Sequence, residues 1–257
     1  MQNIRNYRGI FPGTFTMGNV VCVFLSILSA FEGNITTACW FVILSGFLDA
    51  LDGKVARLSG GTSQFGIELD SLADFLSFGV APAFIVHAIK LSSLGKWGWV
   101  ISIVYIMAAA YRLARFNLLA ESDEKKDFLG LPVPMAALTL VSFVIFSYKL
   151  WGDLEYSEIL VSMIILFAFL MVSQIEYDAL PDNFSSKEKR IKLIIMVIAG
   201  LLTLIKPRLL LFPILSMYIL FGMIREIYRL FYVGVGKVTG HQYGRRKTDR
   251  ENDNVEQ

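Results

Sequence analysis

Apolar residues come in runs of about twenty, separated by short polar breaks, and that is the length an α-helix needs to cross a hydrocarbon layer about 30 Å thick. The runs predict eight helices, at 14–31, 36–58, 66–89, 97–118, 134–151, 157–175, 191–206 and 209–231. Pro207 falls in the joint before the last of them and Pro213 in its first turn, where proline is tolerated. The expected fold is therefore an all-α, polytopic transmembrane bundle of about eight spans. Residues 1–231 make one integral membrane domain, and residues 232–257 a basic, disordered tail on the cytoplasmic side.

An even number of spans puts both termini on one side of the bilayer, and basic residues indicate which side. With the amino terminus inside, Lys90, Lys96, Lys149, Lys206 and Arg208 are the only outer members of the 24 lysines and arginines. The inner set includes Arg5, Arg8, Lys54, Arg57, Arg112, Arg115, Lys125 and Lys126, so both termini are expected in the cytoplasm. The first apolar run lacks a small-residue cleavage site and is read as a retained span.

Composition agrees with lipid as the solvent. Only 18% of the 257 residues are charged and 55% are apolar, against a charged share of about 25% in ordinary soluble domains. Mean hydropathy is +0.56. A net charge of +2, spread over short loops, excludes a nucleic-acid partner from the expectation. Cys22 and Cys39 lie inside apolar runs without paired spacing and are read as small buried hydrophobes.

Against that background four acids stand out. Asp49 and Asp52 are three apart near the end of the second predicted helix, and Asp70 and Asp74 four apart near the start of the third. Each pair shares one helical face. The polar turn from Leu58 to Phe65 makes the helices antiparallel neighbours, so both pairs lie near one membrane surface and can point at each other. Four converging carboxylates in a low dielectric repel unless cations sit among them. All-oxygen ligation suits Mg²⁺ or Mn²⁺, with Ca²⁺ also compatible, rather than zinc. Gly53 and Gly66 allow close backbone approach, Thr62, Ser63 and the start of the third helix offer hydrogen-bond donors, and Arg57 adds a planar cationic fork. Metal ligands, donors and arginine together fit a pyrophosphate. An ion-pair network that only fastens two helices is the competing reading, and it leaves excess negative charge uncompensated. Arg112 and Arg115, three apart at the inner end of the fourth predicted helix, are placed to bind an acceptor's carboxylate or to anchor that helix at the surface. Asn19, in the first span after Thr16, faces either a nucleotide or a neighbouring helix.

The pattern Asp49-x-x-Asp52-Gly53-x-x-Ala56-Arg57, eight residues, Gly66-x-x-x-Asp70-x-x-x-Asp74 resembles the signature of the CDP-alcohol phosphotransferases, with every position filled. The stretches 65–83, 111–117 and 128–134 look like its serine-using branch, the phosphatidylserine synthases. Phosphatidylglycerophosphate synthases commonly carry a lysine after the last signature aspartate, where this chain has Phe75. The resemblance implies transfer of a phosphatidyl group, or an archaeal ether-lipid equivalent, from a CDP-linked lipid to L-serine, with release of CMP. It implies that Asp49, Asp52 and Asp70 hold a divalent cation with Asp74 joining them, and that Asp74 is the general base toward the serine hydroxyl. A CDP-binding set of Asp49, Asp52, Gly53, Ala56, Arg57, Thr62, Ser63, Gly66 and Asn19 follows, as does a homodimer in the cell membrane. The alternatives are another acceptor alcohol, such as glycerol 3-phosphate, and a cation-coupled transporter. The latter normally shows inverted repeats and a midplane site, and neither is visible in this sequence.

Overall fold

The computed structural model describes residues 10–58, 64–121, 128–173, 175–177, 200, 203–226 and 228–229. Its elements are helices α1 (Ile10–Phe31), α2 (Ile35–Leu58), α3 (Gln64–Asp74), a π-helical turn (Phe75–Val80), α4 (Ala81–Ile89), a short 3₁₀ turn (Leu91–Leu94), α5 (Lys96–Glu121), α6 (Val133–Trp151) and α7 (Ser157–Val172). A further helix, α8, runs over Pro207–Glu226. Two-residue strands β1 (Phe128–Leu129) and β2 (Glu176–Tyr177) pair antiparallel.

Six stretches among the described residues are long and apolar enough to cross a membrane: α1, α2, the continuous run α3–π–α4, α5, α6 and α8. The sixth predicted span, 157–175, stops earlier than expected, at Val172, because Ser173 turns into extended backbone. Its 16 residues reach about 24 Å at 1.5 Å per residue, short of a full hydrocarbon thickness. Most of the predicted helix at 191–206 lies outside the described residues, as does the predicted tail at 232–257. α8 begins at Pro207 itself, where the missing N–H would be unpaired in any case. Pro213 therefore falls in the second turn rather than the first, a position that membrane helices accommodate.

The polarity of the helices is inside out, as lipid demands. On α1, Met17, Val21, Phe24, Leu28 and Phe31 are exposed, while Thr16, Asn19, Val23, Ser26 and Ala30 are buried. On α5, Trp99, Ile103, Met107 and Tyr111 face outward, and Ser102, Tyr105, Ala109 and Arg112 face inward. Apolar atoms meet lipid at no cost, while polar groups in hydrocarbon must find partners within the bundle.

Interhelical bonds set the register. α3 and α5 are tied by Asn117 Nδ2, which donates to Ser71 Oγ at 2.9 Å, and the Tyr105 hydroxyl donates to the Phe78 carbonyl at 3.1 Å. Further along, between α4 and α5, His87 Nδ1 lies 3.0 Å from Ser102 Oγ. α2 and α3 are thus left with their aspartates at the end of the bundle where α5 and α7 terminate. The opposite end carries the α1–α2 turn at Gly33, the 3₁₀ turn and the α6–α7 turn at Gly152.

Candidate active site

α2 delivers Asp49 and Asp52 in its closing turns, and α3 delivers Asp70 and Asp74 on a single face. Three of the four converge: carboxylate oxygens of Asp49, Asp70 and Asp74 all lie within 4.8 Å of one another, each residue half-buried. Asp49 and Asp74 are also within hydrogen-bonding reach of each other. Asp52 stands beside this triad and not within it. It is 5% exposed, and its Oδ2 accepts a hydrogen bond from Thr16 Oγ1 of α1. Its charge still acts on Asp49 and Asp70.

Two carboxylate atoms in this cluster, Asp52 Oδ1 and Asp74 Oδ1, are buried without a hydrogen-bond partner among the described residues. A buried unpartnered acceptor is costly, and three neighbouring carboxylates add mutual repulsion. A divalent cation relieves both penalties. Oxygen ligands at about 2.0–2.6 Å from one ion lie up to about 4–5 Å apart, so the span of the triad matches a single ion with hard oxygen donors. The donor set contains no histidine or cysteine, as expected for Mg²⁺, Mn²⁺ or Ca²⁺ rather than zinc.

The surroundings leave room on the polar side. Among the described residues, a Cβ added at Gly53 would meet nothing within 4 Å. Ala56 and Arg57 fall on the last turn of α2, and Gly66 near the start of α3. Thr62 and Ser63 lie outside the described residues. Asn19 is fully buried, and its Oδ1 accepts hydrogen bonds from Ser45 Oγ and Ser77 Oγ. Sequence reasoning missed the role of Thr16: a threonine in an apolar helix carries no mark of a partner 36 positions away.

The two arginines of α5 separate sharply. The Arg115 guanidinium donates from Nη1 to the Val172 carbonyl at 3.3 Å and from Nη2 to the Ser173 carbonyl at 3.1 Å. Met171 O lies at the edge of the same group, at 3.5 Å. These are carbonyls that the end of α7 leaves without helical partners, so Arg115 acts as a cap. The segment before α6 joins this junction, with Gly130 N–H donating to Ile175 O at 2.8 Å and Leu131 N–H to Leu170 O at 3.0 Å. Gly130 has φ +82°, and a Cβ there would come within 2.5 Å of Met171 O and 2.8 Å of Arg115 Nη2, so only glycine fits. Arg112 is 5% exposed and rests over the Phe116 ring at 5.4 Å. Its Nε has no hydrogen-bond partner among the described residues.

The sequence model of the CDP-alcohol phosphatidyltransferases matches residues 9–172, which span α1 to α7 and include the triad and both arginines. The chain belongs to this family. Among similar CDP-alcohol phosphatidyltransferases, the CDP-diacylglycerol–serine O-phosphatidyltransferase of Helicobacter pylori is 37% identical over 85% of this chain and 92% of its own length. The Bacillus subtilis protein of the same name is 35% identical over 65% of this chain and 88% of its own. The archaetidylserine synthase of Methanothermobacter thermautotrophicus is 35% identical over 65% and 68%.

Proposed function

We propose that the protein transfers the phosphatidyl group of a CDP-linked diacylglycerol to the hydroxyl of L-serine, releasing CMP. The observation that carries this reading is the carboxylate triad of Asp49, Asp70 and Asp74 inside a CDP-alcohol phosphatidyltransferase domain. Its relatives in H. pylori, B. subtilis and M. thermautotrophicus are all named for serine as acceptor or for a serine lipid as product, which supports serine over glycerol 3-phosphate. Acids gathered at one end of the bundle, within a transferase family, give the transporter alternative no support.

In this reading Asp49, Asp70 and Asp74 hold a Mg²⁺ or Mn²⁺ ion, with Asp52 adding its free Oδ1 to the same patch of negative charge. When bound, the ion supplies charge neutralisation to the diphosphate of the CDP-lipid. Thr16 fixes the Asp52 carboxylate so that Oδ1 alone remains available. Gly53 and Gly66 let the backbone lie close to the nucleotide, Ala56 keeps that face of α2 small, and Arg57, Thr62 and Ser63 contribute donors to its phosphates. Asp74 accepts the serine hydroxyl proton as the oxygen attacks the lipid-side phosphorus; the bond from that phosphorus to the CMP oxygen breaks, and the electron pair leaves with CMP. Arg112 binds the serine carboxylate, supported by its buried Nε, which has no partner among the described residues, and Arg115 fastens the same helix to the end of α7.

The bias of basic residues supports a site facing the cytoplasm, in the cell membrane. A homodimer completes the reading, supported by the family resemblance alone. The test is an acceptor panel: purified protein, CDP-diacylglycerol and Mg²⁺ or Mn²⁺, with serine, glycerol 3-phosphate, inositol or ethanolamine. Serine is expected to give the dominant lipid product. A larger yield with any other alcohol, or no CMP release with serine, contradicts the proposal.

A further inference from the structure

A second polar cluster lies one turn beyond the triad along the helices that carry it. Asn19 of α1, Ser45 of α2 and Ser77 of the π turn have no exposed surface. The Asn19 Oδ1 accepts from Ser45 Oγ and, at 2.7 Å, from Ser77 Oγ. Ser77 Oγ also lies 2.7 Å from the Ala73 carbonyl, on the residue preceding Asp74. Ser45 is one turn before Asp49, and Ser77 one turn after Asp74. A single amide thus joins the two helices that carry the triad, beside two of its carboxylates.

The local backbone gives this cluster a task. The π turn Phe75–Val80 begins at the residue after Asp74, and Ala81 N–H reaches back five residues to the Leu76 carbonyl. A π turn inserts one residue into the helical phase, a rotation of about 100° at 3.6 residues per turn. The face bearing Asp70 and Asp74 is thereby turned relative to the face by which α4 packs, through Pro82, Ile85 and Val86. Polar side chains that bond across helices serve membrane helix packing in general; what sets these three apart is that their bonds end on the π turn and on the residue before Asp74. Holding a π turn in one phase does call for specific bonds: the Phe78 carbonyl accepts one from Tyr105 of α5, and Ser77 makes the side-chain bond to α1.

We propose that Asn19, Ser45 and Ser77 are positioning residues for phosphatidyl transfer, seating the π turn so that Asp74 is aimed at Asp49. The inference rests on the reading of the triad given above. Of the two sequence expectations for Asn19, nucleotide or neighbouring helix, it takes the second and adds a role one layer behind the acids. Groups that orient metal ligands typically change affinity or activity by about 10–100-fold when removed.

The test compares Ser77→Ala, Ser77→Thr, Asn19→Ala, Ser26→Ala and Asp74→Asn in the purified full-length protein. Ser26 is the control, because its hydroxyl makes a single buried bond to the Ala38 carbonyl at 2.9 Å in the same α1–α2 interface. Two quantities are read: the split of kcat from KM for CDP-diacylglycerol, and Mn²⁺ binding by electron paramagnetic resonance without substrate. Ser77→Ala and Asn19→Ala are expected to lower kcat about 10–100-fold, leave KM for the CDP-lipid within about twofold, and weaken Mn²⁺ binding. Ser77→Thr, which keeps the hydroxyl, restores most of both, and Ser26→Ala matches the unaltered protein. A raised KM with unchanged kcat in Asn19→Ala overturns the proposal in favour of a nucleotide contact, and an equal fall in Ser26→Ala overturns it in favour of packing alone. An inactive Asp74→Asn beside a fully active Ser77→Ala refutes the positioning role by itself. Full activity of Asp74→Asn removes both this role and the assignment of the base.

Discussion

The two ends of the bundle handle charge in opposite ways. At the end with the α6–α7 turn, Lys90 Nζ meets Glu158 Oε1 at 3.0 Å, and the Glu158 side chain is 79% exposed. Glu158 is thus open to solvent, and a pair with one such exposed partner adds little. At the opposite end, Asp52 and Arg112 are each 5% exposed, and both carry atoms without partners among the described residues. Three further carboxyls crowd one another there or nearby. The first arrangement is ordinary surface chemistry. The second gathers buried charge and unpartnered atoms of both signs, which the proposed divalent cation, diphosphate and amino acid would complement.

The largest break in this contrast comes from Asp74. Asp74→Asn keeps the volume and removes the proton acceptor, so kcat is expected to fall about 10²–10⁴-fold while CMP binding persists. Near-normal turnover by a correctly inserted variant would contradict the assignment. Arg112 comes next. Arg112→Gln removes a charged donor worth about 1.5–3 kcal/mol, so KM for serine is expected to rise about 10–100-fold with little change in KM for the CDP-lipid. Arg115→Gln sharpens the division of labour: it uncaps α7, so a lowered unfolding temperature exceeds any direct effect on serine affinity. Equal serine effects from the two arginines would show that they act together. The smallest effect belongs to the far end, where Lys90→Gln is expected to leave turnover and both KM values unchanged.

Much of this contrast was legible in the chain. Apolar run lengths placed helices at 36–58 and 134–151, and the structure has them at Ile35–Leu58 and Val133–Trp151. The spacings brought Asp49 opposite Asp70 and Asp74, because helical periodicity converts spacing into direction, while Asp52 is drawn aside to Thr16. Contacts between distant positions carried no such signal. Thr16 to Asp52 and Asn19 to Ser77 join residues 36 and 58 apart, and nothing local distinguishes those side chains from other small polar residues in a span. The π turn was hidden as well, since Phe75-Leu76-Ser77-Phe78-Gly79-Val80 shows no proline and no break in polarity. Arg112 and Arg115 looked equivalent from their spacing, and only the end of α7, brought in from 57 positions away, separates them.

The central claim is that the facing carboxylates of α2 and α3 hold a divalent cation where the diphosphate binds. Mn²⁺ titration of the purified protein in the presence of CMP, followed by electron paramagnetic resonance, tests it most directly. A saturable bound-Mn²⁺ signal is expected, which Asp49→Asn combined with Asp70→Asn abolishes while the helical content is retained. Equal Mn²⁺ binding by that double variant and the unaltered protein would contradict it.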